Sequence, residues 1–124
     1  MQYREHIEEL CDEHDIFIFW HRGRDFHQRD GEIHIPLRLD TCTAYYIALH
    51  EIGHEIFKHK RYKSGPKRTP RHEVHEQEIE AWGWARANAR YPMDAEAEAK
   101  MLRALRNYRV PEHRLAAAGL TPPC

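Results

Sequence analysis

The chain has little with which to staple itself or to enter a membrane. Cysteine is sparse, and Cys11, Cys42 and Cys124 stand at wide spacing. An odd, scattered set of thiols excludes a disulfide framework and a C-x-x-C zinc knuckle. Cys11 and Cys42 read as small buried apolar side chains, Cys124 as a frayed end. No apolar run approaches the roughly 20 residues that span a bilayer. The opening MQYREHIEEL is acidic and has no apolar centre, so it does not read as a signal peptide, and a cytoplasmic setting is expected. A charge excess is missing too. At a formal net charge of -1 the overall field predicts neither a membrane partner nor directly bound nucleic acid.

What remains is ordinary in size and polar in character. The 124 residues fit one domain, and 41% hydrophobic residues suffice for one modest core. Tyr3, Ile7, Leu10, Cys11 and His14 share a stripe, which predicts an amphipathic helix over residues 2–14. Ile16–Trp20, IFIFW, is short, β-branched and aromatic, so it reads as a strand. A hairpin follows, with Asp30-Gly31 as its turn and Glu32, Ile33, His34 and Ile35 alternating in polarity. Pro36 has no ladder donor, so this second arm should be an edge strand or end there.

LDTCTAYYIALHEIGHEIFKHK is the strongest helix, capped by Asp40 or Thr41 and apolar along Ala44, Ile47, Ala48, Ile52 and Ile56. Lys60–Arg71 is a basic loop marked by Gly65, Pro66 and Pro70. It reads as a solvated linker, or as a surface that steers an acidic partner or nucleic acid, the latter weakened by the near-neutral total charge. Helices are then predicted from about His72 to Arg90, from Asp94 to about Asn107, and from Pro111. The expectation is a single domain over 1–124, of α+β class with a small antiparallel sheet. Residues 1–39 supply a helix and the sheet, 40–90 two site helices and 91–124 the last helices.

Inside the strongest helix stands His50-Glu51-Ile52-Gly53-His54, the H-E-x-x-H pattern. With 11 histidines in the chain, composition alone yields about 0.1 such matches by chance. Position argues against accident. Residues four apart share a helical face, so His50 and His54 can turn their ring nitrogens on one ion. Glu51 is one residue around, where a general base takes a proton from an attacking water. Gly53 costs about 1 kcal/mol in a helix interior, and a close neighbour crossing the helix, or crowding at the site, would explain it.

A catalytic zinc needs a third protein ligand and an open position. In HEVHEQEIEAWGWARA, Glu78, Ala81, Trp82 and Ala85 share one face, so Glu78 can complete a His-His-Glu set where small alanines let two helices approach. Glu76 and Glu80 lie on other faces and read as solvated carboxylates. His75, three before Glu78 on its side, is a candidate transition-state stabiliser or substitute ligand, against the plainer reading of a surface histidine. His27 and His34 read as solvent-facing. Tyr45, Tyr46 and Tyr62 are each able to donate to an oxyanion, and the sequence does not choose among them.

HEIGH, followed some two dozen residues later by EIEAWGWA, resembles the gluzincin arrangement, and more narrowly the ImmA/IrrE family of small metallopeptidases. The resemblance covers roughly Ile16 to Tyr91. It implies a zincin-like fold, Zn2+ held by His50, His54 and Glu78, and Glu51 as catalytic base. It implies a zinc metalloendopeptidase acting on a protein substrate, often a helix-turn-helix repressor in phage or mobile-element regulation. Such a substrate is expected to lie extended along the hairpin's edge strand. Two departures stand out. Trp82 occupies the place of an Asn or Asp that supports a zinc histidine, and ANARYPM replaces a Leu-Leu-Met-Pro-like stretch. Trp82 motivates an alternative, a non-catalytic zinc-binding regulatory module that binds a partner protein. A chance motif would bind no stoichiometric metal.

Overall fold

The computed structural model describes residues 2–121, so Cys124 lies outside the described residues. The order is α1 (Gln2–Glu13), β1 (Phe17–His21), β2 (His27–Arg29), β3 (Glu32–Pro36), α2 (Cys42–Ile56), a short 3-10 turn (Gly65–Lys67), α3 (Arg71–Asn88), α4 (Ala95–Asn107) and α5 (Glu112–Ala117). The class is α+β, a small three-stranded sheet beside five helices. None of the helices among the described residues is long and apolar enough to cross a membrane.

The sheet decides one expectation and corrects another. Its order is β1-β3-β2, so the second arm of the hairpin is the central strand, and of the two readings of Pro36 the strand's end holds, not the edge. Pro36 is tolerated because β3 ends on it, where a missing N–H costs least. The sheet is also mixed rather than antiparallel. β2 pairs with β3 antiparallel across the Asp30-Gly31 turn, where Gly31 adopts a φ of 77°, while β1 runs parallel to β3 with Ile18 opposite Ile33. Ile33 and Ile35 are fully buried from the central strand, and each contributes on the order of 1.5–3 kcal/mol of apolar burial.

Helix α2 is the hub, with α1, α3, α4, β2 and β3 packed around it. Of its two possible caps Thr41 is used: its hydroxyl accepts from Ala44 N–H at 3.0 Å. Tyr45, Ala48, Leu49 and Ile52 are its fully buried face. They meet Ile7 and Cys11 of α1, Trp82 and Ala85 of α3, and Met101 and Leu105 of α4 in one core. Asp94 caps α4 as expected, accepting from Ala97 N–H at 2.8 Å. Cys11 and Cys42 are free and buried.

One charged residue organises the hairpin. Glu55, on the last turn of α2, is only 1% exposed. Its carboxylate accepts from Gln28 Nε2 at 2.7 Å, from Gly31 N–H at 2.8 Å and from Lys58 Nζ at 3.1 Å. A buried carboxylate is tolerable only when its oxygens are satisfied in this way. The result ties the β2–β3 turn to the motif helix and sets β2 beside it.

Candidate metal centre

Helices α2 and α3 cross where both chains are small. A Cβ on Gly53 would meet the Ala81 carbonyl oxygen at 2.7 Å, so only glycine allows this approach. One turn before Gly53 and directly after it, His50 and His54 look across the crossing at Glu78. His50 Nε2 is 3.1 Å from Glu78 Oε1, and His54 Nε2 is 3.0 Å from Oε2. The two Nε2 atoms are themselves 3.0 Å apart. These three side chains are the only group of potential metal ligands that converges among the described residues. Glu78 is 2% exposed and His54 8%.

The set fits a small divalent cation. A tetrahedral ion with bonds of about 2.0–2.1 Å separates its ligand atoms by about 3.4 Å, a few tenths beyond the spacings found. Two imidazoles and a carboxylate are ligands that suit several transition ions, zinc among them. The charges point the same way. Burial opposes ionisation of Glu78, yet its contacts with His50 and then His54 hold its carboxyl well below the usual range. Burial likewise opposes the His50 cation, but hydrogen bonds to Glu51 and Glu78 outweigh it and lift His50 to about 9. Deep in the protein, the negative charge of Glu78 is compensated by the His50 proton, where a metal would otherwise supply the positive charge.

Around this set stand three further groups. Glu51 Oε1 lies 3.5 Å from His50 Nδ1, at the rim of the site. Tyr62, from the basic loop, donates its hydroxyl to Glu78 Oε2 at 2.5 Å. Burial and then the Glu78 charge push its phenol far up, so it stays a donor. Tyr108 packs edge-on against Tyr62. Of the three tyrosines able to serve an oxyanion, Tyr62 alone reaches the ligands. Tyr45 instead bonds His6 and Arg90 N–H, and Tyr46 donates to the Tyr91 carbonyl.

Other candidates fall elsewhere. His75 is buried rather than a surface residue, and its Nε2 bonds the Tyr108 carbonyl oxygen at 2.7 Å, so it is outside the converging set. Glu76 is surface-paired with Arg114, and His72 is exposed. His27 is exposed, but His34 is half-buried, stacked between Phe19 and His27 and bonded to Glu32. Trp82 lies flat on His50, ring centroids 4.3 Å apart, and its Nε1 finds no partner among the described residues.

Two residues near the site escaped sequence reasoning. His59 Nδ1 lies 2.8 Å from His54 Nδ1, and His59 Nε2 lies 2.9 Å from Glu80 Oε1. His59 is five residues from His54, a spacing that shares no helical face, and reaches it only because Lys58 turns the chain with a φ of 56°. Glu80, read as a solvated carboxylate, owes its role to that turn. No signal in the one-dimensional pattern reports it. No family model matches the chain, and no curated protein or solved structure matches it either.

Proposed function

We propose that this protein is a zinc-dependent endopeptidase of the ImmA/IrrE kind, hydrolysing a peptide bond in a protein substrate. The observation that carries the reading is the convergence of His50, His54 and Glu78 from two helices, with Glu51 next to the first of them. When bound, zinc supplies Lewis acidity, which polarises a peptide carbonyl and eases loss of a proton from water near about pH 7.

The chain's own residues do the rest. His50, His54 and Glu78 would hold the ion. Glu51 takes the proton of the attacking water and passes it to the leaving amine. Tyr62 fixes the Glu78 carboxylate and keeps a phenolic proton at the mouth of the site. Substrate lies extended along β2, which pairs only with β3 among the described residues and is tied to α2 through Gln28 and Glu55. A regulatory protein, such as a repressor, is the substrate class that the resemblance suggests. Free buried thiols at Cys11 and Cys42 suit a cytoplasmic setting.

A second reading keeps zinc but not hydrolysis: a regulatory module that binds a partner protein. Trp82, apolar and stacked on His50 where a polar support is expected, favours it. One experiment separates the two. Zinc-loaded wild type and Glu51→Gln are incubated with a peptide library and the products read by mass spectrometry. The enzyme reading expects cuts by wild type and none by Glu51→Gln at equal zinc content. Cuts by both would remove Glu51 as the base, and cuts by neither would leave the regulatory module.

A further inference from the structure

We propose that His59 and Glu80 are a positioning pair that fixes the tautomer of His54 and so frees its Nε2 for a metal. The proposal rests on the metal-site reading above and goes beyond the H-E-x-x-H pattern and Glu78, neither of which involves these residues.

The hydrogen bonds admit one arrangement of protons on neutral rings. Glu80 Oε1 is a carboxylate oxygen and accepts only, so His59 Nε2, 2.9 Å away, carries the proton. Neutral His59 then has a bare Nδ1. That atom faces His54 Nδ1 at 2.8 Å, so His54 donates from Nδ1. Neutral His54 protonated at Nδ1 has its lone pair on Nε2, the atom turned towards His50 and Glu78. A carboxylate thus selects the ligating nitrogen of His54 through two rings.

The fold makes the pair specific. His59 N–H closes on the His54 carbonyl at 2.9 Å around the left-handed Lys58, which lays the His59 ring beside its target. His59 is 7% exposed, so solvent is a poor substitute for its Nδ1. Trp82 gives His50 a stacking face but no acceptor. Polar support that the resemblance places at position 82 comes here from His59, just past the end of α2, and from Glu80, two residues beyond Glu78.

The test is zinc affinity of the full chain, read by competition with a chromogenic chelator. The chains compared are wild type, Glu78→Ala, His59→Phe, His59→Gln, Glu80→Gln and the His59→Phe/Glu80→Gln double variant. Melting curves of the metal-free chains check folding. Loss of such an outer partner weakens metal binding by about 10–100-fold, and that is the loss expected for His59→Phe. Glu80→Gln should lose less, because an amide oxygen still accepts. Adding Glu80→Gln to His59→Phe should cost nothing further, because Glu80 acts through His59. His59→Gln, whose amide oxygen accepts from His54, should regain most of the affinity.

Wild-type affinity in folded His59→Phe would overturn the proposal. So would additive losses in the double variant, or a His59→Gln chain as weak as His59→Phe. Should His59→Phe not fold, the contrast between His59→Gln and Glu80→Gln decides: affinity lost in the first and untouched in the second overturns it. No zinc binding by wild type, or binding untouched by Glu78→Ala, would instead overturn the metal-site reading itself.

Discussion

The backbone of Ala81 passes so close to Gly53 that a Cβ on the glycine would stand 2.7 Å from the Ala81 carbonyl oxygen and 3.0 Å from its Cα. Backbone atoms at that distance cannot step aside as a flexible side chain can. The contact sets the separation of α2 and α3, and with it the reach of Glu78 to His50 and His54. A glycine that weakens its own helix is thereby the residue that lets two helices share one site.

Gly53→Ala is therefore expected to destabilise the fold although alanine is the better helix former. Overpacking costs about 1–3 kcal/mol, against about 1 kcal/mol gained in helix propensity. The helices should part, and zinc affinity should fall further than stability does. Chemical denaturation and chelator competition on the same variant measure both. A stabilised variant with unchanged zinc affinity would show that the crossing is not the constraint.

Glu55→Ala should cost about 2–4 kcal/mol, because Gly31 N–H and Gln28 lose a charged acceptor. Its specific mark is on the hairpin. Amide exchange at Gly31 should accelerate well beyond that of α4, whereas a uniform acceleration would mean global destabilisation only.

Acid should weaken the fold through His6. Burial and the Arg90 charge hold this histidine below its ordinary value of 6.5. The Tyr45 hydroxyl, which accepts from Arg90 N–H, lies 2.6 Å from His6 Nδ1, and the ring is 6% exposed. The unfolded chain takes up a proton at higher pH than the folded chain does. Stability from this residue is present above about pH 6.5 and is lost as pH falls through the lower folded value. Denaturation midpoints of wild type should drop more steeply between about pH 7 and about pH 5 than those of His6→Gln. Parallel slopes would place the acid sensitivity elsewhere.

Much of the site was legible because it depends on helical periodicity. His50 and His54 share a face by spacing, and Ala81, Trp82 and Ala85 mark the side of α3 on which Glu78 stands. The oddity of Gly53 left a crossing neighbour or a crowded site open, and the Ala81 backbone is the neighbour. What depends on long-range pairing was not legible. Alternation in Glu32–Ile35 says which side chains face inwards, but not that β1 would join β3 in parallel and leave it central. Nor does polarity show that Glu55 is buried, since its acceptor role is completed by a turn 24 residues away. His59 was hidden for a third reason: its place depends on one left-handed residue, Lys58, which carries no glycine to announce it.

The central claim is that two histidines and one glutamate hold zinc with a position left open. Zinc-edge X-ray absorption on the purified chain tests it most directly. The account predicts one zinc per chain, four light ligands at about 2.0–2.1 Å and outer-shell scattering from two imidazoles, with binding lost in Glu78→Ala. A third imidazole, a sulfur ligand or the absence of stoichiometric metal would contradict it.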